Sequence, residues 1–160
     1  MPSRRNEITV LRDRINDAVK TAMRAQDKLT LSTLRLVNAA IKNADIEAER
    51  TGKAAPSDED VLALLAKMIK QRQESVALYN HGGRKELADQ ERAEIEIIKA
   101  FLPQQLSEAD AKEAIAVAIK ETGAAGMKDM GRVMAVLKER HAGCMDFGMA
   151  SAMVKALLAG

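Results

Sequence analysis

Aromatic side chains are nearly missing from this chain: 2% of its 160 residues, with no Trp, one Tyr and two Phe. β-Sheets draw heavily on aromatic and β-branched residues, so a 47% hydrophobic content built from Leu, Ile, Val, Ala and nine Met points to helices instead. A single cysteine excludes an internal disulfide and suits a reducing compartment. No apolar run approaches the roughly 20 residues of a membrane span. The opening MPSRRNEITVLRDRI places charges where a signal peptide needs an apolar stretch, so the expected location is the cytoplasm, away from any membrane. The excess of one sign of charge over the other is also small. The net charge of +2 gives no general attraction for nucleic acid, although Met1 to Lys42 holds nine cations against four anions and the stretch to Ala66 is acidic.

What the chain does have is a persistent spacing of three and four between apolar residues. Ile8, Leu11, Ile15, Val19 and Met23 form one stripe, and Leu34, Val37, Ile41 and Ala44 a second. Val61, Leu64, Leu65, Met68, Val76 and Tyr79 form a third, opened by Ser57 with Asp60 three residues on, the pattern of a capping box. Leu87, Ile95, Ile98 and Leu102 run into Pro103, which lacks an N–H and cannot continue a helix. Beyond it, Ser107 with Asp110 begins a short helix stopped by Gly123, a second ends near Gly143, and a third carries Met149, Met153, Val154, Leu157 and Leu158. The predicted fold is all-α: a bundle of four longer helices over residues 1–103 and a small three-helix domain over 104–160.

Few residues invite a chemical reading. His81-Gly82-Gly83-Arg84-Lys85 has no preceding strand, no second glycine at P-loop spacing and no Ser or Thr after the lysine, so it reads as a helix junction in which glycine supplies positive φ. The free N–H groups of the next helix, with Arg84 and Lys85, could also meet a backbone phosphate. His141 and Cys144 are close in sequence without a third residue to orient them, and two histidines with one cysteine are too few for a metal site. Glu91 and Glu94 lie beside an apolar stripe, where ion pairing to Arg72, Arg84 or Arg92 is the expected use; Glu96 shares their helix. No catalytic residue, metal or cofactor is predicted. The methionines at 127, 130, 134, 145, 149 and 153 either fill the core of the small domain or offer an adaptable surface to a partner helix.

Four stretches together resemble a known family. They are STLR (Ser32–Arg35) followed by AAIKNADIE, then DEDVLALLAKMIKQRQES, LADQERAEIEIIKAFLPQQLSEAD, and KDMGRVMAVL. They are similar to the GatB/YqeY family: YqeY-like proteins related to the tail of the B subunit of glutamine-dependent Asp/Glu-tRNA amidotransferase. The resemblance implies an all-helical protein that binds tRNA or assists tRNA-dependent amidation by a carbon-nitrogen ligase with glutamine as amido-N-donor, without being an enzyme on its own. Its expected partners are tRNA, an amidotransferase or another protein. Arg35, Lys42, Lys70, Arg84, Lys85, Lys128 and Arg132, which flank family-like segments or helix starts, are the expected nucleic-acid contacts. The chain departs from the family pattern at Gly143-Cys144-Met145-Asp146-Phe147, where G-R-A-D-G is expected, so one cation is missing from that tip. The alternative is a protein-interaction adaptor working through the methionine-rich C-terminal domain.

Overall fold

A computed structural model describes the backbone of residues 4–159 and the side-chain surroundings of residues 10–159. Seven α-helices and one 3₁₀ turn lie within the described residues, with no strand among them. The chain divides into two compact units, Met1–Leu102 and Pro103–Gly160, one residue before the division expected after Pro103.

In the first unit, α1 (Arg4–Ala25) and α2 (Lys28–Arg50) are joined at Gln26, whose φ of 56° is left-handed, and Asp27, whose carboxylate accepts the Thr30 N–H at 3.1 Å. α3 (Asp58–His81) starts with the full capping box: Ser57 Oγ accepts from the Asp60 N–H, and Asp60 accepts from the Ser57 N–H at 2.9 Å. α4 (Lys85–Lys99) packs against α2 and α3. Leu11, Ile15, Leu34, Val37, Ile41, Val61, Leu65 and Ile98 are all buried by this arrangement. One stripe differs from its reading in the sequence. Steps of four advance a 3.6-residue helix by 400°, so a run from Leu11 through Ile15 and Val19 drifts off the core. Val19 is only half-buried and Met23 is 54% exposed, while Ala22 takes the buried place. Ile8 lies outside the residues whose side chains are described.

The second unit contains α5 (Glu108–Thr122), α6 (Met130–His141) and α7 (Phe147–Ala159). Ser107 accepts the Asp110 N–H at 3.1 Å, and Gly123, at φ 64°, closes α5 in the left-handed conformation. Its core is Ile115, Ala118, Val133, Leu137, Met145, Ala150 and Val154. The segment after Pro103 is held by two long-range hydrogen bonds. The Leu106 N–H donates to the Cys144 carbonyl at 2.8 Å, and the Gln105 side-chain amide donates to the Gly143 carbonyl. Leu106 itself packs on the core.

Candidate nucleic-acid interface

The structure sorts the charged residues into those tied to their neighbours and those left facing water. Arg12 makes a two-pronged pair with Asp45 (2.9 and 2.7 Å), joining α1 to α2, and also reaches the Pro56 carbonyl. The Arg12 guanidinium holds the Asp45 carboxyl below its usual range. Sequence spacing gave no sign of this pair, whose partners stand 33 residues apart. Arg14 lies over the Phe101 ring, 5.6 Å from its centroid. Arg72 Nε donates to Glu94 at 3.1 Å between side chains only 13% and 11% exposed, which is one of the pairings expected for Glu94. Arg92 instead meets Asp89 on its own helix.

Two of the stretches that carry the family likeness separate in the same way. In STLR, the Ser32 and Thr33 hydroxyls both donate to the Leu29 carbonyl, Thr33 and Leu34 are fully buried, and the Arg35 side chain is exposed without an ion-pair partner among the described residues. In KDMG, the Asp129 carboxylate accepts the Ala125 N–H at 3.0 Å, which, with its pairing to Arg132, keeps its pKa low. Arg132 is therefore held at 2.9 Å by Asp129, and Lys128 is the outward cation of that motif. Arg35, Lys42, Lys70, Arg84, Lys85 and Lys128 are exposed, and none has an ion-pair partner among the described residues. Five of these lie on the first unit and Lys128 on the second.

The best-organised group is on α2. Lys28, Arg35 and Lys42 recur every seven residues, two helical turns, and so share one exposed face; no Asp or Glu occurs in α2 before Asp45. Arg84 and Lys85 open α4 without a side-chain cap. Of the two glycines before them, Gly82 has an ordinary φ of −84°, and Gly83, at φ 71°, takes the left-handed conformation. A β-branched residue at Gly83 meets open space but the wrong backbone geometry. Gly83→Val is expected to lose about 1–2 kcal/mol in urea unfolding, more than Gly82→Ala. Equal losses from the two substitutions would contradict this assignment.

At the other residues weighed for chemistry, the Cys144 N–H donates to the His141 carbonyl at 2.9 Å, and the thiol faces the Ala142 carbonyl at 3.7 Å. Among the described residues no three His, Cys, Asp or Glu side chains gather as a metal would require. No helix of the described chain is long and apolar enough to cross a membrane.

The class defined so far is an all-helical protein of two compact units, its motif residues engaged in packing and capping and its unpaired cations outward. The chain belongs to the YqeY-like family, whose model matches residues 12–158. It is 27% identical over 136 residues to "Altered inheritance of mitochondria protein 41, mitochondrial" of Pyrenophora tritici-repentis, covering 82% of this chain and 73% of that protein. The protein of the same name from Lachancea thermotolerans is 39% identical over 89 residues, 54% of this chain and 44% of the relative. That from Vanderwaltozyma polyspora is 35% identical over 85 residues, 52% of this chain and again 44% of the relative. The chain thus spans under half the length of these last two. These relatives are named as mitochondrial proteins.

Proposed function

We propose that the protein is a non-catalytic accessory that binds tRNA, acting in the cytoplasm beside a glutamine-using tRNA amidotransferase. The observation that carries the reading is the row Lys28, Arg35 and Lys42 on one exposed face of α2, in the part of the helix before Asp45 that holds no acid. Cations paired within a protein have little left to offer a phosphate, whereas unpaired ones release counterions when they meet one. A row of three with a rise of about 10 Å between members is suited to following a phosphate backbone. Arg84 and Lys85 supply a second contact, at a helix start whose N–H groups favour an anion. The missing arginine at Cys144 and the engagement of Arg132 leave Lys128 as the weaker contribution of the second unit.

The test is fluorescence anisotropy with unfractionated tRNA across a salt series. Arg35→Ala with Lys42→Ala is expected to weaken binding about equally for different tRNAs and to flatten the salt slope by roughly one for each phosphate no longer neutralised. Folding is expected to stay intact because both side chains are exposed. Arg84→Ala with Lys85→Ala is expected to act in the same direction. Unchanged affinity and slope in both double variants would remove tRNA from the reading.

One observation favours the adaptor alternative. On α7, Met149 and Leu157 are 56% and 57% exposed, and Ala152 and Ala156 lie between them on the outward side, so part of the methionine set faces water while Met145 is buried. If tRNA binding fails the salt test, Met149→Asp distinguishes this reading, since an exposed position accepts a charge without unfolding.

A further inference from the structure

The first unit carries a groove of about 480 Å³ between the C-terminal half of α2 and the N-terminal half of α3. Its floor is Ile41, Ala44, Ala48, Val61 and Leu64. It exists because α2 presents alanine at 44 and 48, where a longer aliphatic chain would fill the space against α3. Along α2 the lining extends from Ile41 to Thr51, about 15 Å at the helical rise. The rim contains two acids and two lysines, and they are not equivalent. Glu47 is paired with Arg50, and Asp60 is committed to the capping box with Ser57. Lys53 and Lys67 are exposed and have no ion-pair partner among the described residues. An apolar floor is thus bordered by a free positive charge on the loop after α2 and another on α3.

The geometry points to this groove as the docking site for an amphipathic helix of a partner protein, its apolar row on the alanine floor and its flanking carboxylates toward Lys53 and Lys67. The groove is partly open to solvent, whereas small-ligand sites bury 70–90% of what they hold. A small amphiphile would remain largely in water, while a helix brings its own covering surface. Two turns of helix span about 11 Å and fit the available length. The carboxylates follow from charge complementarity, which sets register and rejects partners of the wrong sign. This surface is separate from the cation row, and does not depend on RNA binding.

A displayed library of random 16-residue peptides, selected on the full chain, tests the assignment. The expected winners carry apolar residues at i, i+3 or i+4, and i+7, with Asp or Glu on the flanks, and shift the backbone amide signals of Ala44, Ala48 and Leu64. Lys53→Glu with Lys67→Glu is expected to weaken them about tenfold while circular dichroism stays unchanged. Replacing the acids of the peptide by lysine is expected to restore binding to that variant alone. The assignment is overturned by failure to enrich any peptide, by winners without acidic flanks, by equal binding to the double variant, or by shifts confined to other helices. Dodecanoate reproducing the same shifts and displacing the peptides would reassign the groove to a small anionic amphiphile and likewise overturn it.

Discussion

Arg72→Met is expected to destabilise the first unit by about 3–5 kcal/mol, the cost of stranding a buried charge by removing its partner. Glu94 is 9% exposed, and the Arg72 guanidinium at 3.1 Å is its ion-pair partner. The same guanidinium donates to the Met68 carbonyl, so the arginine ties α4 to the backbone of α3. Glu91 makes the loss worse. Burial first, and then the Glu94 charge, hold its carboxyl above the usual range, while Arg72 opposes that rise. Without the arginine, two neighbouring carboxylates lose the cation that pairs with one and offsets the other.

The pH dependence has a definite sign. A carboxyl whose folded pKa is raised costs nothing when protonated in both states. Its cost grows as pH rises from the unfolded value through the folded one and persists above. Wild-type stability therefore contains a small loss on going from acid to neutral pH, and Glu91→Gln should remove it. Arg72→Met should show a steeper loss over the same range, so its deficit is larger at pH 7.5 than at pH 5. Urea unfolding followed by amide signals of α3 and α4 measures both. The double change Arg72→Met with Glu94→Met should lie much nearer the wild type, because neither charge is left behind. A deficit below about 1 kcal/mol in Arg72→Met would mean that the pair is effectively solvated and that its burial is not felt.

Leu137→Ala is the second large effect. Leu137 is fully buried in the core of the second unit, where truncation costs about 2–5 kcal/mol including the cavity left behind. A domain of about 60 residues has little more than 3–5 kcal/mol of stability in total. The expected result is loss of the dispersed amide signals from Pro103 onward with those of the first unit retained. Each core is composed only of residues from its own unit, which makes the separation testable. Loss of both sets of signals, or of neither, would contradict it. Val37→Ala gives the converse measurement, since Val37 is equally buried in the first unit.

These outcomes depend on features that were unequally legible in the sequence. Helix starts were readable because a cap is a local event: Ser57 needs only Asp60, and Ser107 needs only the Asp110 N–H, three residues away. The apolar stripes were readable over two turns and failed over four, as Met23 and Ala22 show, because the spacing of whole residues accumulates an angular error. The glycine pair was recognisable as a junction, but which of the two is left-handed depends on where the final helical hydrogen bond falls. The Tyr79 carbonyl accepts from the Arg84 N–H at 2.7 Å, and that closure places the turn at Gly83.

For the candidate site, exposure was legible and pairing was not. Arg35 and Lys42 follow a buried stripe at a fixed angular offset, so their outward direction could be inferred from periodicity. Arg132 could not be distinguished from Lys128 by that means, because what removes it is the rotamer that brings it to Asp129. The Arg12–Asp45 and Arg72–Glu94 pairs close over 33 and 22 residues. Arg72 was one of three arginines the sequence offered to Glu94, and packing of α3 on α4 made the choice.

The segment after Pro103 has a consequence for the order of events during synthesis. The Leu106 N–H is satisfied by the carbonyl of Cys144, and the Gln105 amide by Gly143, 38 residues further on. A ribosome adds roughly 5–20 residues each second, so this strap emerges seconds before its partners exist. The first unit is by then complete in sequence and free to fold from its own contacts. The second has only α5 and part of α6, with Leu106 still lacking the turn against which it rests. Its closure must wait for the Gly143–Cys144 turn to leave the exit tunnel, and that turn arrives just ahead of α7. The nascent chain therefore passes through a stage in which a finished bundle trails an open, apolar-faced hairpin, the interval in which a chaperone has most to recognise.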